Sequence, residues 1–104
     1  MGDQTSIDRA WTKGLFRGEG NAPMVSRLFV FEYACSLRLV DLRSREQGRG
    51  LLGHLPGSRF LSEKEIEGLE QGLPIVLISD RGGLAGEVAS RLAKQGMQRV
   101  AAME

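Results

Sequence analysis

The chain reads as one α/β domain, and three features predict this class. The apolar run Ile75-Val76-Leu77-Ile78 has the length of a buried parallel strand. Leu84, Ala85, Val88, Ala89, Leu92 and Ala93 then mark one face of a helix, and Arg99 to Met103 reads as a further strand. Strand, helix and strand at this spacing form a βαβ unit, whose crossover is right-handed in nearly all sheets. A chain of 104 residues leaves room for one such core.

The remaining elements follow in order. Ile7, Ala10, Trp11, Leu15 and Phe16 lie near helical spacing, so residues Ser6 to Phe16 are expected to form a helix with Thr5 or Ser6 as its cap. Arg17-Gly18-Glu19-Gly20-Asn21-Ala22-Pro23 ends it. Between Met24 and Cys35 two readings stand: Leu28-Phe29-Val30-Phe31 suits a buried strand, while Val25, Leu28, Phe29 and Ala34 suit a helix face, and helix is the preferred expectation. Leu37 to Leu42 reads as a strand leading into the polar run Arg43-Ser44-Arg45-Glu46-Gln47, and a turn-rich Gly53-His54-Leu55-Pro56-Gly57-Ser58 follows. Ser62-Glu63-Lys64-Glu65 matches a capping box, in which serine and glutamate satisfy free amides at a helix start, so a helix is expected from Glu63 to Leu69. Gly96 stands where a left-handed terminator of the Leu84 helix belongs.

Composition narrows function. Fourteen basic and thirteen acidic side chains give a net charge of +1, too balanced for a polyanion-steering field, so nucleic acid is not an expected partner. No apolar run approaches the roughly 20 residues that span a bilayer, and no secretory leader is evident, so a cytoplasmic protein without a membrane partner is expected. A lone cysteine, Cys35, suits a reducing compartment and is expected as a small buried hydrophobe. His54 is the single histidine, so no metal site is expected, and no pattern asks for a cofactor.

The loop after Ile78 carries most of the chemistry. Ligands of open α/β sheets bind beyond the carboxyl ends of strands, where the amides of a following helix also point. Gly82 and Gly83 let the backbone curl into an anion-binding nest, or merely permit a tight turn; both readings stand on the residues alone.

Leu39-Val40-Asp41-Leu42-Arg43, Gly53-His54-Leu55-Pro56-Gly57-Ser58 and Pro74-Ile75-Val76-Leu77-Ile78-Ser79 occur in the order and spacing of rhodanese-homology domains, which the chain resembles from about Leu37 to Glu104. The resemblance implies a central, mostly parallel sheet flanked by helices in a core of 37–104, and residues 1–36 are expected to form an N-terminal helical segment packing on it. It implies an active-site loop at Ser79, Asp80, Arg81, Gly82, Gly83 and Leu84, reaching Ala85, braced by Asp41 and Arg43. Active relatives carry cysteine where this chain has Ser79, and arginine where it has Leu84. The implied function is a catalytically silent module that binds a small anion, a peptide or a protein partner.

The alternatives are a weak sulfurtransferase or phosphatase-like enzyme, and a dinucleotide-binding fragment. Gly82, Gly83 and Gly86 depart from the spacing of the dinucleotide fingerprint. A Ser79-His54-Asp41 triad is disfavoured because the resemblance places His54 in a structural turn. The resemblance also implies a helix after the last strand, yet the sequence stops at Met103-Glu104. The expectation is that residues 1–36 cover the exposed sheet face, or that a second copy does so in a homo-oligomer, or that the domain is truncated.

Overall fold

A computed structural model describes residues 4–42, 58–69, 72–79 and 83–104. Its centre is a six-stranded sheet in the order β1-β2-β6-β5-β3-β4. The strands are β1 (Phe16–Arg17), β2 (Pro23–Val25), β3 (Arg38–Asp41), β4 (Arg59–Phe60), β5 (Ile75–Ile78) and β6 (Val100–Met103). Among the described residues four α-helices accompany them: α1 (Gln4–Gly14), α2 (Arg27–Tyr33), α3 (Glu63–Glu67) and α4 (Gly83–Lys94). Every pairing is parallel except the antiparallel β1–β2 edge, so the architecture is the expected α/β class.

Chain direction explains which helix lies on which face. From β2 to β3 the chain moves across the sheet one way, and from β4 through β5 to β6 it moves the other way. Right-handed crossovers then put α2 on one face and both α3 and α4 on the opposite one. The packing agrees. Ile66 of α3 and Ala85, Val88, Ala89 and Leu92 of α4 pack with Val40, Ile75, Leu77, Val100 and Ala102. On the other side Phe29 and Val30 of α2, joined by Ile7 and Trp11 of α1, meet Leu39, Val76, Ile78 and Ala101. Adjacent strand residues thus serve opposite faces, as the two-residue period of a strand requires. All four residues of β5 are buried, which is why that strand reads as an unbroken apolar run.

Local signals set the helix ends. Ser62 Oγ accepts from the Glu65 amide at 3.3 Å while Glu65 returns a carboxylate oxygen to the Ser62 amide at 3.0 Å, completing the expected capping box. The hydrogen bond from the Ser62 amide, and after it the Ser62 side chain, hold the Glu65 carboxyl below its usual range. Gly96 follows α4 at φ 104°, a conformation that L side chains rarely adopt. Gly14 serves a different need, since a Cβ there would lie 2.5 Å from the Phe29 ring. Polar links tie the layers together. Arg91 of α4 donates two hydrogen bonds to Glu63 of α3, at 3.0 and 2.8 Å. Arg99 pairs with Asp8 of α1 and donates to the Gly72 carbonyl at 3.1 Å.

Three expectations change. The segment from Met24 to Cys35 is not one helix, because Met24 and Val25 pair with Ala102 and Met103 before Ser26 caps α2 through a 3.1 Å bond from the Phe29 amide. The first helix stops at Gly14, and Phe16 enters β1. Cys35 is exposed rather than buried, because the 3-10 turn Ala34–Ser36 lifts it off the sheet and buries none of its residues. On the sheet face opposite α3 and α4, residues of α1 and α2 pack together. Among the described residues no helix is long and apolar enough to cross a membrane.

Candidate functional site

The strand order places a topological switch point on the carboxyl edge of the sheet, between β3 and β5. After β3 the chain departs toward β4, and after the neighbouring β5 it departs toward β6, in the opposite direction. Loops that diverge from adjacent parallel strands leave the gap between them open, and such switch points are where open α/β sheets bind ligands. Asp41 ends β3 in register with Ile78, which ends β5, and the Leu42 amide donates to the Ile78 carbonyl at 2.8 Å. The ladder therefore holds the two exits side by side, about one strand spacing of 4.8 Å apart.

Ser79 stands at this exit. It is half-buried, and its Oγ accepts a hydrogen bond from the Ala85 amide at 3.2 Å. Ala85 belongs to the first turn of α4, where backbone amides lack intrahelical acceptors, so the Ser79 hydroxyl satisfies one of them across six positions of chain. Two neighbours fix this geometry. The wholly buried Ala85 anchors the helix start in the core, and Gly86 approaches to where its Cβ would sit 3.5 Å from that of Ala22. Leu84, between them and the solvent, is 51% exposed and presents an apolar side chain beside the helix N-terminus. Asp41, by contrast, is only 1% exposed.

Of the residues singled out from the sequence, Ser79, Gly83, Leu84 and Ala85 gather at one helix start, with Asp41 on the adjacent strand. Asp80, Arg81 and Gly82, as well as Arg43, His54 and the Gly53–Gly57 turn, lie outside the described residues. One contributor was not anticipated. The backbone of Leu42 extends the β3–β5 ladder past Asp41, and nothing in the sequence marks it, because its part is played by its main chain. The cysteine is remote from this exit: Cys35 precedes the amino end of β3, while Ser79 follows the carboxyl end of the parallel β5. Among the described residues no cluster of histidine, cysteine and acidic side chains is arranged to hold a metal.

The arrangement offers a hydroxyl and the amides of a helix start, with Asp41 at the end of the neighbouring strand. Helix amides of this kind stabilise an anion or a thiolate placed against them.

No protein-family model and no curated protein sequence matches the chain. Solved structures do. A rhodanese-related protein from Thermoplasma volcanium is 15% identical with a TM-score of 0.66, over 86% of this chain and 84% of its own. Wild-type EanB is 17% identical with a TM-score of 0.62, over 78% of this chain and 23% of its own. A variant of EanB carrying a cysteine persulfide in a tetrahedral intermediate state with ergothioneine is 18% identical with a TM-score of 0.63, over 78% of this chain and 24% of its own. The chain thus spans about a quarter of EanB and most of the Thermoplasma protein. Mostly parallel strands in this order, helices on both faces and these likenesses together make the fold rhodanese-like.

Proposed function

We propose that this chain is a rhodanese-like module without sulfurtransferase activity, which uses residues 79–85 to hold a small anion or an acidic group of a peptide or protein partner. The observation that carries the reading is the hydrogen bond from the Ala85 amide to Ser79 Oγ. The strand-to-helix exit that would place a thiol against helix amides here holds a hydroxyl. A cysteine of pKa about 8.5 becomes a thiolate readily at a helix N-terminus, takes up a sulfane sulfur and keeps it as a persulfide. A serine hydroxyl forms no comparable anion near neutral pH and needs a general base. The persulfide seen in EanB belongs to a cysteine, and the one cysteine of this chain lies at the other end of the sheet. What remains at the exit is the capacity to bind, through the amides of Gly83 and Leu84 and the rim of Leu84.

Restoring the missing groups tests the reading. Wild-type protein should form no thiocyanate from thiosulfate and cyanide. The double change Ser79→Cys with Leu84→Arg should produce turnover, and mass spectrometry should find one extra sulfur atom on the new thiol, because the helix start lowers its pKa and the new arginine attracts the anionic donor. Robust turnover by the wild type would overturn the reading. A folded double variant with neither turnover nor adduct would show that the exit lacks the geometry supposed here. In an NMR titration of the wild type with sulfate or thiosulfate, the amides of Gly83 and Leu84 should shift at millimolar concentrations, less so at high salt.

A further inference from the structure

The outward face of α2 has a pattern that its own fold does not use. Phe29 and Val30 are buried against the sheet, yet Leu28 is 79% exposed and Phe31 57% exposed. At about 100° per residue, the order around the helix is Arg27, Phe31, Leu28, Glu32. Two large apolar side chains therefore form the middle of the solvent face, with an exposed cation on one flank and an exposed anion on the other. Among the described residues neither Arg27 nor Glu32 takes part in an ion pair.

We propose that α2 is a weak self-association surface, on which two copies of this chain pack their α2 helices in parallel about a two-fold axis running along them. Charge complementarity selects both the partner and the direction. Residues five apart on opposite flanks of an apolar seam meet across parallel helices, so Arg27 of each copy reaches Glu32 of the other while Leu28 and Phe31 fill the seam. An antiparallel pair would set like flanks together, Arg27 by Arg27 and Glu32 by Glu32. A two-fold arrangement repeats each contact, as closed symmetry requires. The seam also has a continuation. Cys35, exposed on the 3-10 turn that directly follows α2, stands at the carboxyl end of the seam, where the two-fold axis brings it toward its own copy. The surface is independent of the Ser79 exit.

A helix of seven residues makes a small contact, well below the roughly 1,200–2,000 Å² of stable complexes, so the dimer should be reversible and populated only from about 0.1 to 1 mM. Sedimentation of the full chain should show the average mass rising above 11.4 kDa over that range. Leu28→Glu should abolish the rise, and because that side chain is exposed the variant should melt as the wild type does. Arg27→Glu and Glu32→Arg should each weaken association about tenfold, since each turns two attractions into repulsions. Mixing those two single variants should restore association as a heterodimer, and combining both changes in one chain should restore the homodimer. Diamide, which accepts the two hydrogens of a pair of thiols, should link two Cys35 side chains in the wild type and none in Cys35→Ser. A wild type that stays at 11.4 kDa throughout overturns the proposal. So does association indifferent to the charge reversals, or a dimer that diamide does not cross-link.

Discussion

Replacing Ser79 with alanine isolates the contact on which the site rests. The change removes an acceptor 3.2 Å from the Ala85 amide, at a helix start whose Ala85 is wholly buried. Water cannot readily replace the lost partner there, so the cost should resemble loss of a helix cap, about 1 kcal/mol within a range of about 0.5–2. In a domain of about 100 residues, 1 kcal/mol lowers the melting temperature by about 4–8 °C. Urea denaturation followed by circular dichroism should report the loss, with the slope of the transition unchanged. Hydrogen exchange at the Ala85 amide should accelerate. Thr12→Ala is the control, for it removes an exposed bond from Oγ1 to the Asp8 carbonyl at 3.0 Å and should cost less than about 0.5 kcal/mol. If Ser79→Ala matches the control in stability and leaves Ala85 exchange unaltered, Ser79 does not hold the start of α4, and the reasoning about the exit fails.

Three further outcomes test the frame around the site. Leu92→Ala empties a wholly buried position between α4 and the sheet and should destabilise by about 2–5 kcal/mol in the same denaturation assay. Gly96→Ala meets no neighbour within 4 Å but imposes a side chain at φ 104°, so about 1–3 kcal/mol of backbone strain should appear in the denaturation midpoint without loss of fold. The Arg91 hydrogen bonds hold the Glu63 carboxyl below the usual glutamate range, and the charged form is the one that folding favours. Its stabilisation is therefore present above the unfolded value of about 4.3 and lost as pH falls through the lower folded value. Glu63→Gln should melt below the wild type at pH 7, and the gap should close in melts taken at successively lower pH.

Legibility from the sequence followed how local the deciding interactions are. The β5-α4-β6 unit was plain because a strand buried on both faces must be apolar throughout, and because α4 shows its buried side at helical spacing. The Ser62 capping box was equally plain, its two bonds lying within four residues. β2 was obscure for the opposite reason: Pro23, Met24 and Val25 become a strand by pairing with β6, far along the chain, and no short-range pattern records that. The two-residue β1 and β4 are set by their neighbours in the same way. Exposure misled at Cys35, since a residue type that is usually buried sits on a turn chosen by the end of α2. At the site, Ser79 was identified by its place after an apolar strand, but its bond to Ala85 depends on how the exit carries the chain to α4. Leu42 contributes through its main chain, which carries no residue-specific mark.

The pairing of β2 with β6 also bears on how the protein is born. Translation delivers about 5–20 residues per second from the N-terminus. The side of the sheet that Met24 and Val25 join does not exist until Ala102 and Met103 have been made and have cleared the ribosome. For several seconds Trp11 and Phe29, whose rings meet edge to face 6.0 Å apart in the finished core, have only part of the surface that will cover them. The nascent chain is thus most exposed to chaperones and to aggregation around Trp11 and Phe29, and a ribosome stalled before β6 would display an unsealed apolar half-core.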